Sequence, residues 1–176
     1  MPSVKLPMLG HFQIAKVSEC PPVAVPDKPA SYAAYWRDVI APSPFIHADK
    51  EHVVVVALDI KLNAKGWHLV SMGDLNGAYC GPREVMRPLI ICAAYSFILM
   101  HNHPSGCVTP SDTDRRLTRR VREAGETMGV ELMDHIIVGD GTGEYFSFRE
   151  HGLIGGAVTV SVKLKHRISN KEKVKG

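Results

Sequence analysis

The run Val53-Val54-Val55-Val56-Ala57-Leu58 constrains the fold more than any other stretch of this chain. It is dense in β-branched residues, is bounded by charge on both sides, and lacks the apolar-polar alternation of a strand that wets one face. It therefore reads as a strand buried on two faces. Such a strand needs a layer packed on each side, and 176 residues, 45% hydrophobic and 22% charged, suffice for one ordinary domain with a packed core.

The rest of the chain divides around that strand. Residues 1–30 contain Pro21, Pro22, Pro26 and Pro29 and are expected to form an extended arm. A globular domain is expected over 31–155. It opens with a short helical pattern of Tyr32, Tyr35, Trp36 and Val39, which stops at Pro42-Ser43-Pro44. Asn63-Ala64-Lys65-Gly66 predicts a turn into a second strand over 67–72, making a hairpin.

The segment from Pro82 to Ala94 predicts a helix, with Pro88 tolerable only near its first turns. Tyr95 to Met100 is a short apolar strand running into His101. Leu117, Val121, Ala124 and Met128 share one face of a helix over 112–128, which Gly129 stops. Strands follow at 132–138 and 145–148, joined through Gly139-Asp140-Gly141. Residues 156–176 alternate like a strand over 157–164 and then continue as a basic polar tail. There is no internal repeat.

Charge and cysteine content exclude little and suggest little. The net charge is +3, with basic residues gathered at Arg115 to Arg122 and from Lys163 to Lys175. Nucleic acid is permitted as a partner and not demanded. For the arginines of 115–122 a solvated helix face is the default, and a substrate- or phosphate-binding patch the minority reading. Cys20, Cys80, Cys92 and Cys107 show no C-x-x-C spacing, so reduced thiols are expected instead of a zinc knuckle or a redox pair. No signal-peptide core and no run long enough to span a bilayer is present, which gives an expected cytoplasmic location and no membrane partner.

The chemistry concentrates in His101-Asn102-His103-Pro104-Ser105-Gly106-Cys107-Val108-Thr109-Pro110-Ser111-Asp112-Thr113-Asp114. Two histidines two apart on an extended segment point their rings to the same side, so their nitrogens can converge on one ion. A third ligand must return from a distance. Asp114 sits where a loop containing Pro104, Gly106 and Pro110 can fold onto the start of a helix. Three protein ligands leave one tetrahedral position for water, the arrangement of a catalytic zinc and not of a closed structural one. Simpler roles exist beside these: Ser111 and Asp114 also spell a capping box, single loop histidines are commonly satisfied by backbone, and Cys107 suits a small loop position better than a fourth ligand.

H-x-H, seven residues, then S-x-x-D resembles the motif of the JAB/MPN (JAMM) metallopeptidase superfamily. His101-Asn102-His103-Pro104-Ser105-Gly106, Pro110-Ser111, Asp134-His135-Ile136-Ile137-Val138-Gly139 and Pro82-Arg83-Glu84-Val85 look like its RadC-like branch. The resemblance runs over roughly residues 48–152. It implies an α/β fold, a three-layer mixed β-sheet with flanking helices of JAB/MPN-like, cytidine-deaminase-like architecture.

The same resemblance implies one zinc ion on His101, His103 and Asp114, and Ser111 as the hydroxyl that steadies a tetrahedral oxyanion. It also implies a glutamate just before the first core strand as general base. Glu51 occupies that place, where the plainer alternative is a solvated charge at a strand edge. Glu84 is the reserve, with the simpler role of a first-turn acid on its helix. His135 is a group that stands behind a ligand or serves the structure.

The expected function is metal-dependent hydrolysis of a peptide or isopeptide bond, with a peptide or protein as substrate. The alternative is a DNA-repair or recombination accessory, with a metal-dependent nuclease between the two. A deaminase is disfavoured, since no H-x-E with a later P-C-x-x-C occurs. Two features depart from the family. The ~45 residues before the first strand cannot hold the helical module resembling helix-hairpin-helix that full-length RadC proteins carry. Tyr79-Cys80-Gly81 stands where a histidine usually adjoins the proline.

Overall fold

The computed structural model of the chain describes residues 28–73 and 80–155. Residues 1–27 of the expected arm, and the strand and tail expected over 156–176, lie outside the described residues. The last residues assigned to the arm are already helical: α1 spans Pro29–Tyr35 and continues as a π-helical turn, Trp36–Ile40. Proline at the first position of a helix has its φ preset and gives up an N–H that would have no partner, so Pro29 starts this helix and does not delay it. The π turn, closed by Ala41 N–H to the Trp36 carbonyl at 2.8 Å, rotates Ile40 inward in place of Val39, which is 45% exposed.

Five strands form one mixed sheet: β1 (His52–Leu58), β2 (Ala64–Met72), β3 (Ser96–His103), β4 (Glu131–Gly139) and β5 (Tyr145–Ser147). Their order is β2-β1-β3-β4-β5, with β3 and β4 parallel and every other pair antiparallel. The valine run is buried along its whole length, because both faces of β1 are covered. On one face Val54, Val56, Leu58, Ile98 and Met100 pack under Tyr32, Trp36 and Ile40. On the other, Val53, Val55, Phe97 and Leu99 pack under α2 (Pro82–Ile91) and α3 (Asp112–Met128). The three-layer α/β arrangement is thus present. Fully burying each such aliphatic side chain contributes about 1.5–3 kcal/mol, which makes this double-sided strand the energetic centre of the domain.

Three local expectations shift. The β1–β2 turn lies at Asp59–Asn63 and not at 63–66. The Asp59 carboxylate accepts the N–H groups of Lys61 at 2.8 Å and Asn63 at 2.9 Å, a local hydrogen-bonding device that outweighs the glycine signal. Gly66 instead lies inside β2, at φ 153, beside the register shift between Ala57 and Leu58. Pro88 sits well inside α2, which tolerates it by ending at Ile91. The chain then turns through Ala93 at φ 49.

The buried face of α3 is Asp114, Thr118, Val121 and Gly125, and Met128 is 54% exposed. Of the predicted apolar face, Val121 is buried and Leu117 and Ala124 pack against the core, while Met128, the last residue of the helix, does not. The pattern missed the polar members Asp114 and Thr118, because the helix begins over a polar site. Gly125 is there for clearance: a Cβ would lie 2.5 Å from the Val130 carbonyl oxygen and 3.5 Å from the Phe97 ring. A helix-interior glycine-to-alanine change ordinarily stabilises by about 0.8–1 kcal/mol. Gly125→Ala should reverse that sign and destabilise by on the order of 1–3 kcal/mol in urea unfolding. A variant at least as stable as the parent would show that the contact between α3 and β4 yields freely.

Candidate metal centre

The pleat of β3 determines what meets at its carboxyl end. Odd-numbered residues of this strand face α2 and α3 and even-numbered ones face α1, so His101 and His103 emerge on the α3 side and Asn102 on the other. The loop after β3 turns at Gly106, φ 77, and delivers the chain to Ser111, the N-cap of α3. One ligand atom each from His101, His103 and Asp114 lies within 4.8 Å of the others. His101 Nε2 is 3.1 Å from His103 Nε2 and 3.3 Å from Asp114 Oδ1.

Both ring tautomers are determined by partners outside the cluster. Thr118 Oγ1 donates its single proton to the Asp114 carbonyl at 2.6 Å, so toward His135 Nδ1, also at 2.6 Å, it can only accept. His135 therefore carries its proton on Nδ1 and offers a lone pair at Nε2. His101 Nδ1–H donates to that lone pair at 2.8 Å. In the same way His103 Nδ1–H donates to the Cys107 carbonyl at 2.5 Å.

In the neutral form of both rings each Nε2 directs a lone pair at the other and at a carboxylate oxygen. Three such electron-rich atoms form a donor set that a cation satisfies. Tetrahedral zinc with bonds of about 2.0–2.1 Å separates its donors by roughly 3.3 Å, close to the two shortest spacings here.

Burial reinforces the ligating form. It lowers the His101 pKa to about 4; Asp114 acts in the opposite sense and His103 in the same sense. Burial likewise drives His135 well below the usual histidine range, helped by the charges of His101 and His103. Neutral imidazoles are the species that bind metal. Asp114 is oriented by a capping box: its Oδ2 accepts from Ser111 N–H at 2.7 Å and from the Ser111 hydroxyl at 2.6 Å. Capping and cluster membership thus coexist in Asp114, and Oδ1 remains directed at the histidines.

Glu51 lies just before β1 and is half-buried. Its pKa is raised first by burial and next by the negative charge of Asp114, while His103 acts to lower it, so its carboxylate feels both sides of the cluster. Glu84 is placed differently. It is exposed in the first turn of α2, with its carboxylate folded over Gly81, where a helix start favours an acid. The group that responds to its charge is Cys80, whose thiol is pushed up to about 12, chiefly by burial. Cys107 is exposed and its thiol is engaged with Thr109, so it contributes its carbonyl to His103 and no sulfur to the cluster.

Two residues here carry roles that spacing did not disclose. Thr118 stands one helical turn beyond Asp114 and closes the proton accounting above. Asn102 is 1% exposed behind β3 and clamps the backbone on either side of Glu51. Its Oδ1 accepts from His52 N–H at 2.8 Å, and its Nδ2 donates to the Lys50 carbonyl at 2.9 Å and to Asp140 Oδ2 at 2.5 Å. The available signal was a lone amide between two ligand-like histidines, which strand alternation must send to the opposite face.

A family model described as RadC-like JAB domain matches residues 28–153, a stretch that contains every residue of this centre. The chain is 43% identical over 150 residues to the UPF0758 protein of Rubrobacter xylanophilus, covering 84% of this chain and 63% of that protein. It is 44% identical over 107 residues to the UPF0758 protein of Thermotoga maritima, covering 61% and 47%. It is 42% identical over 105 residues to that of Chlorobium chlorochromatii, covering 60% and 46%. The chain therefore spans between about half and just under two thirds of these relatives. No helix among the described residues is long and apolar enough to cross a membrane.

Thr118→Val keeps the side-chain shape and removes the acceptor for His135. Loss of a partner standing behind a ligand typically weakens metal binding by about 10–100-fold. A zinc titration of the metal-free variant against a competing chelator should show such a loss, with the thermal midpoint lowered by no more than an unpaired buried donor costs, about 1–3 kcal/mol. Parental affinity would mean that the Thr118–His135–His101 chain does not govern the ligand.

Proposed function

The chain belongs to the RadC-like JAB domain family, and from that premise we propose that it is a zinc-dependent hydrolase of peptide or isopeptide bonds. One observation carries this reading: ligand-type atoms of two histidines and an aspartate converge beside a half-buried glutamate whose charge couples to two of those residues. Two neutral imidazoles and a carboxylate suit zinc better than the hard, oxygen-preferring magnesium or calcium. A zinc ion held by His101, His103 and Asp114 would supply Lewis acidity toward a carbonyl and lower the pKa of a water it binds.

The chain's own groups do the rest. Glu51 accepts a proton from the attacking water and delivers it to the departing amine, as a general base and then a general acid. Its raised pKa suits both halves of that cycle. Asn102 holds the segment carrying Glu51 from both sides, so the carboxylate is presented by a fixed backbone. The Ser111 hydroxyl donates to Asp114 at rest. It can turn its proton to the oxyanion while the Ser111 backbone N–H keeps Asp114 in place.

Metal analysis and turnover separate these roles. His103→Ala and Asp114→Ala should each lose bound zinc, and equal zinc in both variants and the parent would remove the ligand assignment. Glu51→Gln should retain zinc and lose about 10²–10⁴-fold in hydrolysis of a peptide and isopeptide library read by mass spectrometry. Unchanged turnover in that variant would take the proton-transfer role away from Glu51.

A further inference from the structure

Beside the metal centre lies a second concave site with a different chemistry. Arg115, Arg116, Arg119 and Arg122 of α3 line one cavity of about 370 Å³, and among the described residues Asp112 is the sole carboxylate in its wall. The helix repeat brings them there: 115, 119 and 122 fall on one stripe, with 116 beside it. Like charges at these spacings destabilise a helix by a few tenths of a kcal/mol per pair, so the row carries a standing cost. Intramolecular partners relieve it only in part. Arg122 Nε lies 3.4 Å from Glu126 Oε1, and Arg116 donates to Thr113 Oγ1 at 2.9 Å. Among the described residues Arg115 and Arg119 have no ion-pair partner.

We propose that this cavity binds acidic side chains of the peptide substrate, next to the bond that is cut. The proposal rests on the hydrolase reading above for the word substrate, and on the cavity itself for the word acidic. Guanidinium groups pair bidentately with carboxylates, and four of them against one aspartate leave a site suited to more than one negative charge.

The surroundings argue against two other occupants. Single-stranded nucleic acid is usually held by exposed aromatic rings that stack its bases, and the one aromatic in this wall among the described residues, Phe148, is 1% exposed with its ring stacked on His135 at 4.6 Å. The chain's own residues 156–176 hold six Lys or Arg and one Glu, the same sign as the cavity.

Position links the site to the reaction. Thr118 lines the cavity and is hydrogen-bonded to His135, while Asp112 and Asp114 lie on the same first turn of α3. Four residues of helix rise about 6 Å, so a side chain held by Arg115 and Arg119 lies within a residue or two of a bond at the metal centre.

The test is binding to the metal-free full chain, measured by fluorescence anisotropy with labelled hexaglutamate, hexaglutamine and a six-residue oligothymidylate. Hexaglutamate should bind with marked salt dependence, and hexaglutamine weaker by on the order of tenfold or more. Arg115→Gln with Arg119→Gln should abolish that difference, whereas Lys163→Gln with Lys165→Gln in the tail should preserve it. Both arginines are exposed, and thermal melts of each single variant confirm folding; should the double variant melt early, Arg119→Gln alone must still weaken hexaglutamate.

Equal hexaglutamate binding by the parent and the arginine variants would overturn the proposal. So would tighter oligothymidylate binding through the same arginines, or displacement of hexaglutamate by inorganic phosphate at lower concentration than by free glutamate. Because binding is read without metal, a chain that binds hexaglutamate and cleaves nothing overturns only the hydrolase reading. Cleavage with no acidic preference overturns only this one.

Discussion

The alternation of side chains along the last three residues of β3 is the constraint on which the candidate site depends. A strand must send successive side chains to opposite faces. His101 and His103 therefore reach the start of α3, and Asn102 reaches the backbone around Glu51. One turn of pleat thus builds the ligand pair and, through the sheet, immobilises the carboxylate that would serve it. A register slip of one residue would exchange the two sets and dismantle both at once. Burial of β1 and β3 on both faces is what makes such a slip prohibitive, since it would also send the aliphatic residues of each layer into the other.

The electrostatics follow from where the donors are placed. A buried histidine can be stabilised by being charged and paired or by being neutral and hydrogen-bonded, and these have opposite consequences for metal binding. Here each imidazole directs its Nδ1 at a neutral acceptor away from the cluster: the Cys107 carbonyl for His103, and His135 for His101. The proton accounting for His101 ends at the main chain of α3, where Thr118 donates to the Asp114 carbonyl. Asp114 thus touches the centre twice, through its side chain as a candidate ligand atom and through its carbonyl as the acceptor at the end of the chain from His101.

Much of this was legible in the sequence, and the portions that were not share a cause. The valine run, the strand into His101, the long helix after Ser111 and the H-x-H…S-x-x-D spacing are local patterns with one strong physical reading each, and the structure has those elements. Val39 and the 63–66 turn were misjudged where a non-periodic feature intervened, a π turn and an aspartate that folds its own turn, and Met128 because it keeps the spacing of its face but ends the helix. Asn102 and Thr118 escaped for a related reason. Their value comes from partners 50 and 17 residues away in the chain, and no window along the sequence brings those together. Glu51 was placed ahead of its reserve Glu84 only by resemblance; the antiparallel pairing of β1 with β3 puts Val53 opposite His101, and the charge of Glu51 within reach of Asp114 and His103.

The start of α3 therefore bears three demands that pull against one another. The helix dipole and the free N–H groups of its first turn favour acids, and Asp112 and Asp114 supply them. The proposed ligand role would require one of those acids to leave an oxygen uncovered, and the Ser111 capping box covers only Oδ2. The arginine row begins immediately after, closer to the positive end of the dipole than cations prefer to be. A sequence selected for helix stability alone would move those cations toward the last turn, where α3 has none. Their crowding into its first three turns is an arrangement that local stability opposes, and it lies against the end of the sheet where the candidate ligands His101, His103 and Asp114 meet.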